Sequence, residues 1–166
     1  MRPATCSTDV DAAPRAIAIR RPDPRRQELE ADAAMAVHLT SISAALPGIA
    51  HPHTEVEDSA WIRGVFARQS VWLALDGAAV VGIASCDGEW LTQLYLLPAY
   101  TGCGIGKQLL DRILAETPAL KLWTFARNAG ARRFYERNGF VAVEFGDGSG
   151  NEEREPDVRF ERRPAL

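Results

Sequence analysis

The residues best suited to chemistry begin with glycines at alternate positions, Gly102, Gly104 and Gly106, followed directly by Lys107. The residues before them are rich in strand formers, and those after them repeat apolar side chains at helical spacing. A helix that begins in this way leaves its first N–H groups without partners, at the positive end of the helix dipole. Glycine permits a positive φ and lets a bulky anion approach those N–H groups. The pattern therefore predicts a phosphate-binding turn.

Two common glycine-rich loops do not fit this spacing. A nucleoside triphosphate loop needs Ser or Thr after its Gly-Lys pair, where this chain has Gln108, and an earlier glycine where it has Thr101. A dinucleotide loop needs G-x-G-x-x-G, and its last glycine would fall on Lys107 or Leu109. What remains is G-x-G-x-G followed by Lys, after a predicted strand that ends in Leu-Pro.

A second segment, residues 128–140, reads NAGARRFYERNGF. Taken with the glycine turn, it resembles the GCN5-related N-acetyltransferases, in which N-x-x-A-x-x-F-Y-E-x-x-G-F follows an acyl-CoA pyrophosphate loop. The two motifs in this order are more specific than either alone, and the resemblance extends over roughly residues 16–163. It implies direct transfer of an acetyl group from acetyl-CoA, as co-substrate and without a metal, to a primary amine. The acceptor would be a small molecule or a peptide N-terminus.

The resemblance also implies which residues hold acetyl-CoA. Main-chain groups of one strand would pair with the pantetheine arm, main-chain amides of the glycine turn would hold the pyrophosphate, and an asparagine would hydrogen-bond the arm. Many relatives begin the turn with Gln or Arg, whereas this chain has Thr101. In chain order the implied residues are Leu94, Tyr95, Leu96, Gly102, Cys103, Gly104, Ile105, Gly106, Lys107 and Asn128.

Tyr135 occupies the position at which the family places its general acid. When an amine attacks a thioester, the departing sulfur develops negative charge, and a phenol within hydrogen-bond distance can donate a proton to it. A tyrosine that only fills the core could be replaced by phenylalanine. We therefore expect Tyr135 to be catalytic.

The sequence does not identify the base that removes a proton from the acceptor. An amine with a pKa of about 10.4 is almost wholly protonated at neutral pH, so a base or a water relay is required. Positions at which some relatives carry a glutamate hold Thr92, Gln93, Trp123 and Thr124. Candidates elsewhere, each also readable as a solvated surface charge, are Glu89, His51, His53, Glu55, Glu152, Glu153 and Glu155.

These departures leave an alternative function open, a non-catalytic acyl-CoA-binding regulatory module of the same fold. Transfer to a hydroxyl, or of a longer acyl chain, is open as well. Trp61, Trp90 and Trp123 are candidates for an apolar wall of the acceptor site.

Hydrophobic periodicity predicts the elements that would position these residues. Helices are expected at residues 27–46, 57–68 and 104–116 and directly after residue 128. Strands are expected at residues 16–20, 71–75, 79–85, 90–97, 120–125, 140–145 and 157–161. The fold class is α+β, a mixed, mostly antiparallel sheet of about seven strands flanked by about four helices. We expect residues 1–15 to be a flexible leader and residues 16–166 to form one domain.

Composition restricts the partners. The chain has 166 residues, a net charge of −3 and a pI near 5.6, without the basic signature of a nucleic-acid-binding protein. It shows neither an apolar run of membrane-spanning length nor a secretion signal, so we expect no membrane partner and a cytoplasmic location. Cys6, Cys86 and Cys103 have no close spacing and are expected to be free thiols. The oligomeric state is open, a homodimer included.

Overall fold

The computed structural model describes residues 16–164, so the predicted leader lies outside the described residues. The strands are β1 (Ile17–Arg20), β2 (Ser70–Asp76), β3 (Ala79–Asp87), β4 (Trp90–Leu96), β5 (Leu120–Phe125), β6 (Val141–Gly146) and β7 (Asp157–Arg162). The α-helices are α1 (Gln27–Ala45), α2 (Glu55–Arg68), α3 (Ile105–Glu116) and α4 (Ala129–Arg137). A short 3-10 turn, Pro98–Tyr100, follows β4 and was not predicted.

The strands form one seven-stranded sheet in the order β1-β2-β3-β4-β5-β7-β6. Neighbouring strands are antiparallel except β4 and β5, which are parallel. The predicted α+β class and the mixed, mostly antiparallel sheet are therefore confirmed.

Helices cover both faces of this sheet. Leu73 of β2 is buried in a cluster with residues of α1 and α2, whereas its neighbour Ala74 is buried in a cluster with residues of α3 and with Tyr135 of α4. Successive side chains of a strand point to opposite faces. The pair α1 and α2 therefore covers one face, and α3 and α4 cover the other.

The start of α2 shows how local chemistry sets a boundary. Thr54 accepts a hydrogen bond from the Glu57 amide, and the Glu57 carboxylate accepts one from the Thr54 amide. This reciprocal capping box begins the helix at Glu55, earlier than the predicted Glu57. Apolar periodicity, which begins further along, could not place that boundary.

The cysteine prediction is partly wrong. Cys86 is buried and free, as predicted, but Cys103 is not a free thiol. Sequence spacing does not show which distant groups meet in the fold. Cys6 lies outside the described residues. None of the helices between residues 16 and 164 combines the length and apolar character needed to cross a bilayer.

Glu30, in the first turn of α1, is a buried carboxylate that ties this helix to β1. Arg20 Nη2 donates to Glu30 Oε1 at 2.7 Å, and the Asp23 amide donates to Oε2 at 2.9 Å. Burial acts to raise the pKa of Glu30, but these hydrogen bonds outweigh it and the pKa lies below its ordinary value.

We expect Arg20→Met to lower the free energy of unfolding by about 2 kcal/mol, because it leaves a buried charge short of a donor. The folded pKa of Glu30 is depressed, so this stabilisation is present above the unfolded pKa and is lost as pH falls through the folded pKa. Urea unfolding near neutral pH and at about pH 3 measures the difference, which should shrink at the lower pH. Arg25→Met, which removes an exposed guanidinium nearby, is the control. A difference independent of pH would contradict the ion pair.

Candidate active site

The parallel strands β4 and β5 separate almost as soon as they meet. Their one ladder pair among the described residues is Trp90 with Lys121, where the Lys121 amide donates to the Glu89 carbonyl at 2.8 Å. Beyond it, a cleft of about 750 Å³ opens between the strands and is lined also by α1, α4 and the start of α3. The edge of β4 that faces this cleft therefore offers main-chain donors and acceptors to a ligand.

A β-bulge marks the point at which the strands part. Ser85 of β3 pairs with Gln93, but the next residue, Cys86, pairs with Leu91, so Thr92 is an extra residue in β4. A bulge bends its strand and disrupts the ladder locally. Thr92 and the three residues predicted to hold pantetheine, Leu94, Tyr95 and Leu96, line the cleft directly after this bend.

The glycine turn closes one end of the cleft. Gly102 and Gly104 have φ of +78° and +79°, and Gly104 is the N-cap of α3. No heavy atom lies within 4 Å of the place where a Cβ would stand on either glycine. The Gln108 amide donates to the Gly104 carbonyl at 3.1 Å, so the amides before Gln108 lie in the first turn and have no acceptor within the helix. The turn therefore has the open space and the donors that a diphosphate requires.

The other predicted residues of the turn contribute unequally. Gly106 and Lys107 line the cleft with Gly102 and Gly104, whereas the side chains of Cys103 and Ile105 do not. Ile105 is buried in the core, so it can contribute its main chain alone. The Lys107 ammonium forms an ion pair with Asp111 at 2.6 Å, and its charge is therefore shared with a carboxylate.

Asn128 lies in the cleft wall at the start of α4. Its Oδ1 accepts a hydrogen bond from the Ala131 amide at 3.1 Å, which caps the helix. The cap uses one of the two lone pairs of the oxygen, and the amide nitrogen can donate to a ligand.

Tyr135 is held rigidly in the same wall. Its ring packs edge-on against Phe134 and Phe140, with centroids 5.4 and 5.5 Å apart. Burial, and secondarily Tyr95, raises the pKa of the Tyr135 phenol well above its ordinary value, so it is protonated at neutral pH. Its hydroxyl has no hydrogen-bond partner in residues 16–164 and is not sealed from solvent, and the side chain lines the cleft. A protonated phenol with a free donor is what a general acid needs.

The candidate bases named from the sequence do not line the cleft. Glu89 lies at its closed end in an ion pair with Lys121 at 3.1 Å, and Glu55 is exposed in the first turn of α2. Four others lie in three side-chain pairs: His51 with Asp58 at 2.8 Å, His53 with Glu152 at 2.7 Å, and Glu155 with Arg127 at 2.9 Å. Glu153 is half-buried in the loop before β7.

One residue was missed that is not itself in the cleft lining but contacts Tyr95, which is. His38 of α1 has its Nδ1 2.8 Å from Gln93 Oε1 and its ring centroid 4.4 Å from that of Tyr95. Its helical spacing to Ser41 and Ile42, which line the cleft, was visible in the sequence. Because α1 carries alanine and other small residues around most of its circumference, its pattern did not show which face meets β4.

The three tryptophans predicted to form an apolar wall do not lie together. Trp123 of β5 lines the cleft, and Trp61 of α2 contacts the His38 ring with centroids 5.6 Å apart. Trp90 lies outside the cleft, with Lys121 Nζ 6.0 Å from its ring centroid. Among the described residues, no cluster of three or more His, Cys, Asp or Glu side chains could hold a metal ion.

Sequence comparisons relate the central part of the chain to a known domain. Residues 67–142 match the model of the acetyltransferase (GNAT) domain. The chain is 35% identical over 78 residues to the ribosomal protein bS18-alanine N-acetyltransferase of Haemophilus influenzae, covering 42% of this chain and 53% of that protein. It is 30% identical over 88 residues to the peptidyl-lysine N-acetyltransferase YjaB of Escherichia coli, covering 52% and 58%. The chain thus spans little more than half the length of these relatives.

Solved structures share the fold. The solution structure of apo YjaB from Escherichia coli matches with a TM-score of 0.72 at 22% identity, over 90% of this chain and 99% of that chain. The PaiA N-acetyltransferase of Thermoplasma acidophilum, in complex with coenzyme A, matches with a TM-score of 0.59 at 19% identity, over 89% and 99%. Over residues 67–142 the chain is therefore similar to the acetyltransferase domain of the GCN5-related N-acetyltransferase (GNAT) family, and it shares the fold of these N-acetyltransferases.

Proposed function

We propose that this protein transfers an acetyl group from acetyl-CoA to a primary amine, on a small molecule or at a peptide N-terminus. The observation that carries the proposal is the separation of β4 from β5 beside the start of α3. It places an unpaired strand edge and a row of helix-terminal amides in one cleft. A ligand that carries a diphosphate and a chain of amide groups fits both features.

Binding of acetyl-CoA would use the main chain more than the side chains. The amides at the start of α3, around Gly104, would hold the pyrophosphate, and the free edge of β4 around Tyr95 would pair with the pantetheine arm. Asn128, whose side-chain oxygen caps α4, would donate from its amide nitrogen. The acetyl thioester supplies an electrophilic carbonyl carbon and a thiolate leaving group.

In the proposed reaction, the general acid is a residue of α4. Tyr135 would donate its proton to the sulfur as the carbon–sulfur bond breaks, and its packed ring fixes the direction of that hydroxyl. A general acid must be protonated at neutral pH, and burial of the Tyr135 phenol favours the protonated form. The amine would approach from the other wall of the cleft, formed by α1.

Acceptors can be compared in one assay. The relatives' names specify an alanine of ribosomal protein bS18 and a peptidyl lysine, so the panel would hold a peptide with a free N-terminal alanine, an N-blocked peptide with one lysine, and small amines. We expect release of free coenzyme A thiol that depends on at least one amine. Coenzyme A binding with no turnover of any amine would favour the non-catalytic module, and absence of binding in calorimetry would overturn both. A cytoplasmic location is part of the same proposal.

A further inference from the structure

We propose that His38 is the base that takes the proton from the acceptor amine. This inference rests on the proposed function and adds the residue that the acceptor half of the reaction lacks. It stands on the position, tautomer and exposure of one ring nitrogen of His38.

The hydrogen bonds of Gln93 fix the tautomer of His38. Gln93 is buried on β4, next to the bulge, and its Nε2 donates to the Thr92 carbonyl at 2.8 Å. Its amide is therefore oriented with Oε1 toward His38 Nδ1, 2.8 Å away. Because Oε1 can only accept, Nδ1 carries the proton and Nε2 bears the lone pair.

Nε2 of His38 is open to a ligand. In the part of the chain that the structure describes, Nε2 has no hydrogen-bond partner, and it is not among the polar atoms that are sealed from solvent without one. The ring packs between Tyr95 and Trp61, so it cannot turn freely. An oriented lone pair on a nitrogen that is not sealed from solvent and has no protein partner is the arrangement a general base requires.

The position of His38 suits the acceptor side. It lies one helical turn before Ser41 and Ile42, which line the cleft, and it contacts Gln93 and Tyr95 on the strand that would hold the pantetheine arm. The acid, Tyr135 of α4, lines the same cleft as Tyr95, the residue that the His38 ring contacts, and the phenols of Tyr95 and Tyr135 interact electrostatically. Base and acid would thus approach the thioester from opposite walls.

The charged groups around His38 come from three segments. Asp58 of α2 and Glu153 of the loop before β7 favour the imidazolium, and His51 of the connection between α1 and α2 opposes it. Burial is the largest influence, and it lowers the pKa of His38 below the ordinary value. His38 is therefore neutral at neutral pH, while the carboxylate of Glu153, which has no ion-pair partner in residues 16–164, adds negative charge near an incoming ammonium group.

The proton balance of the reaction closes with these groups. The acceptor ammonium gives one proton to His38 Nε2, and the free amine attacks the thioester carbonyl carbon. As the carbon–sulfur bond breaks, Tyr135 protonates the sulfur, and the second nitrogen proton returns through water to the Tyr135 oxygen. His38 then releases its proton to solvent. The net products are the amide, the free thiol and one proton.

The test is the pH dependence of kcat at saturating substrates. We expect the wild-type protein to lose activity as His38 is protonated, with an apparent pKa below the ordinary value of 6.5. His38→Gln should abolish this acidic limb and lower kcat about tenfold near neutral pH, less than most general bases contribute because water reaches the same site. KM for acetyl-CoA should not change. His51→Gln and His53→Gln, the other two of three histidines, should keep the limb.

A second measurement does not depend on activity. In ¹⁵N-histidine spectra of the wild-type protein, His38 should show the Nδ1–H tautomer and a pKa below the ordinary value of 6.5. The opposite tautomer, or an acidic limb that persists in His38→Gln, would overturn the inference while leaving acetyl transfer intact. Absence of turnover with every amine would instead overturn the proposed function.

Discussion

Tyr135→Phe is expected to lower kcat for acetyl transfer by roughly a thousandfold, the middle of the range for loss of a general acid. The affinity for coenzyme A should stay near that of the wild-type protein, because the donors proposed for the diphosphate and the pantetheine arm are main-chain groups elsewhere in the cleft. Steady-state turnover and calorimetry on the same preparation measure both quantities.

The variant should fold normally. Phenylalanine keeps the ring contacts with Phe134 and Phe140, and the lost hydroxyl has no hydrogen-bond partner among residues 16–164. Tyr100→Phe is the matched control, because it also removes a tyrosine hydroxyl but one that donates to Asp76 at 2.7 Å and lies outside the cleft lining. That control should lose about 1 kcal/mol of stability and no activity. Equal turnover in Tyr135→Phe and wild type would remove Tyr135 from the reaction.

The raised pKa of Tyr135 has a consequence for alkaline solutions. Burial holds the phenol protonated beyond the ordinary tyrosine pKa of 10.0, so deprotonation of Tyr135 should not reduce kcat below that pH. Suppose instead that the wild-type protein loses activity as the pH rises toward 10 and that Tyr135→Phe does not. That result would contradict the burial seen around this ring.

The fold was readable from the sequence because its elements carry strong local signals. The Asp76-Gly77 turn, with Gly77 at a φ of +61°, separates two apolar runs, and β2 and β3 form the expected hairpin around it. The helix after the glycine turn begins at Ile105, beside the predicted Gly104, since the change from strand to helix occurs at those glycines. Boundaries set by side-chain caps, such as Thr54 at α2, were placed less accurately.

The two halves of the site differed in how far they could be predicted. The half proposed to hold acetyl-CoA is built largely from a short run of residues whose main chain would do the binding, so a motif around Gly104 predicts it. The half proposed to hold the acceptor is built from α1, α2 and the loop before β7, which meet only in the folded chain. His38 and Gln93 are 55 residues apart in sequence, and no pattern links them.

The β-bulge in β4 is another feature that the local sequence pattern did not predict. In the sequence, Thr92 stands at a position where some relatives carry a glutamate. In the structure it is the extra residue of the bulge, where β4 bends. The separation of β4 and β5 depends on that bend and on a ladder that stops at Trp90 and Lys121. Hydrophobic alternation, which identifies strands, contains no information about where two parallel strands part.

The second large effect is expected at the glycine turn. Gly104→Val should weaken coenzyme A binding about 100-fold, since a branched side chain would stand in the open space above the amides and cost two charge-assisted hydrogen bonds, about 3 kcal/mol in total. Valine at a φ of +79° is also strained, so a stability loss alone must be separated from loss of the site.

A valine at Gly48 is the control that distinguishes loss of stability from loss of the binding site. Gly48 has the same φ of +79°, no heavy atom lies within 4 Å of its Cβ position, and it lies between α1 and α2 and is not among the residues that line the cleft. Gly48→Val should therefore lose similar stability in thermal unfolding while it binds coenzyme A like the wild-type protein. If both variants lose affinity in calorimetry to the same degree, the effect is general strain. If Gly104→Val alone binds normally, the amides at the start of α3 do not hold the diphosphate.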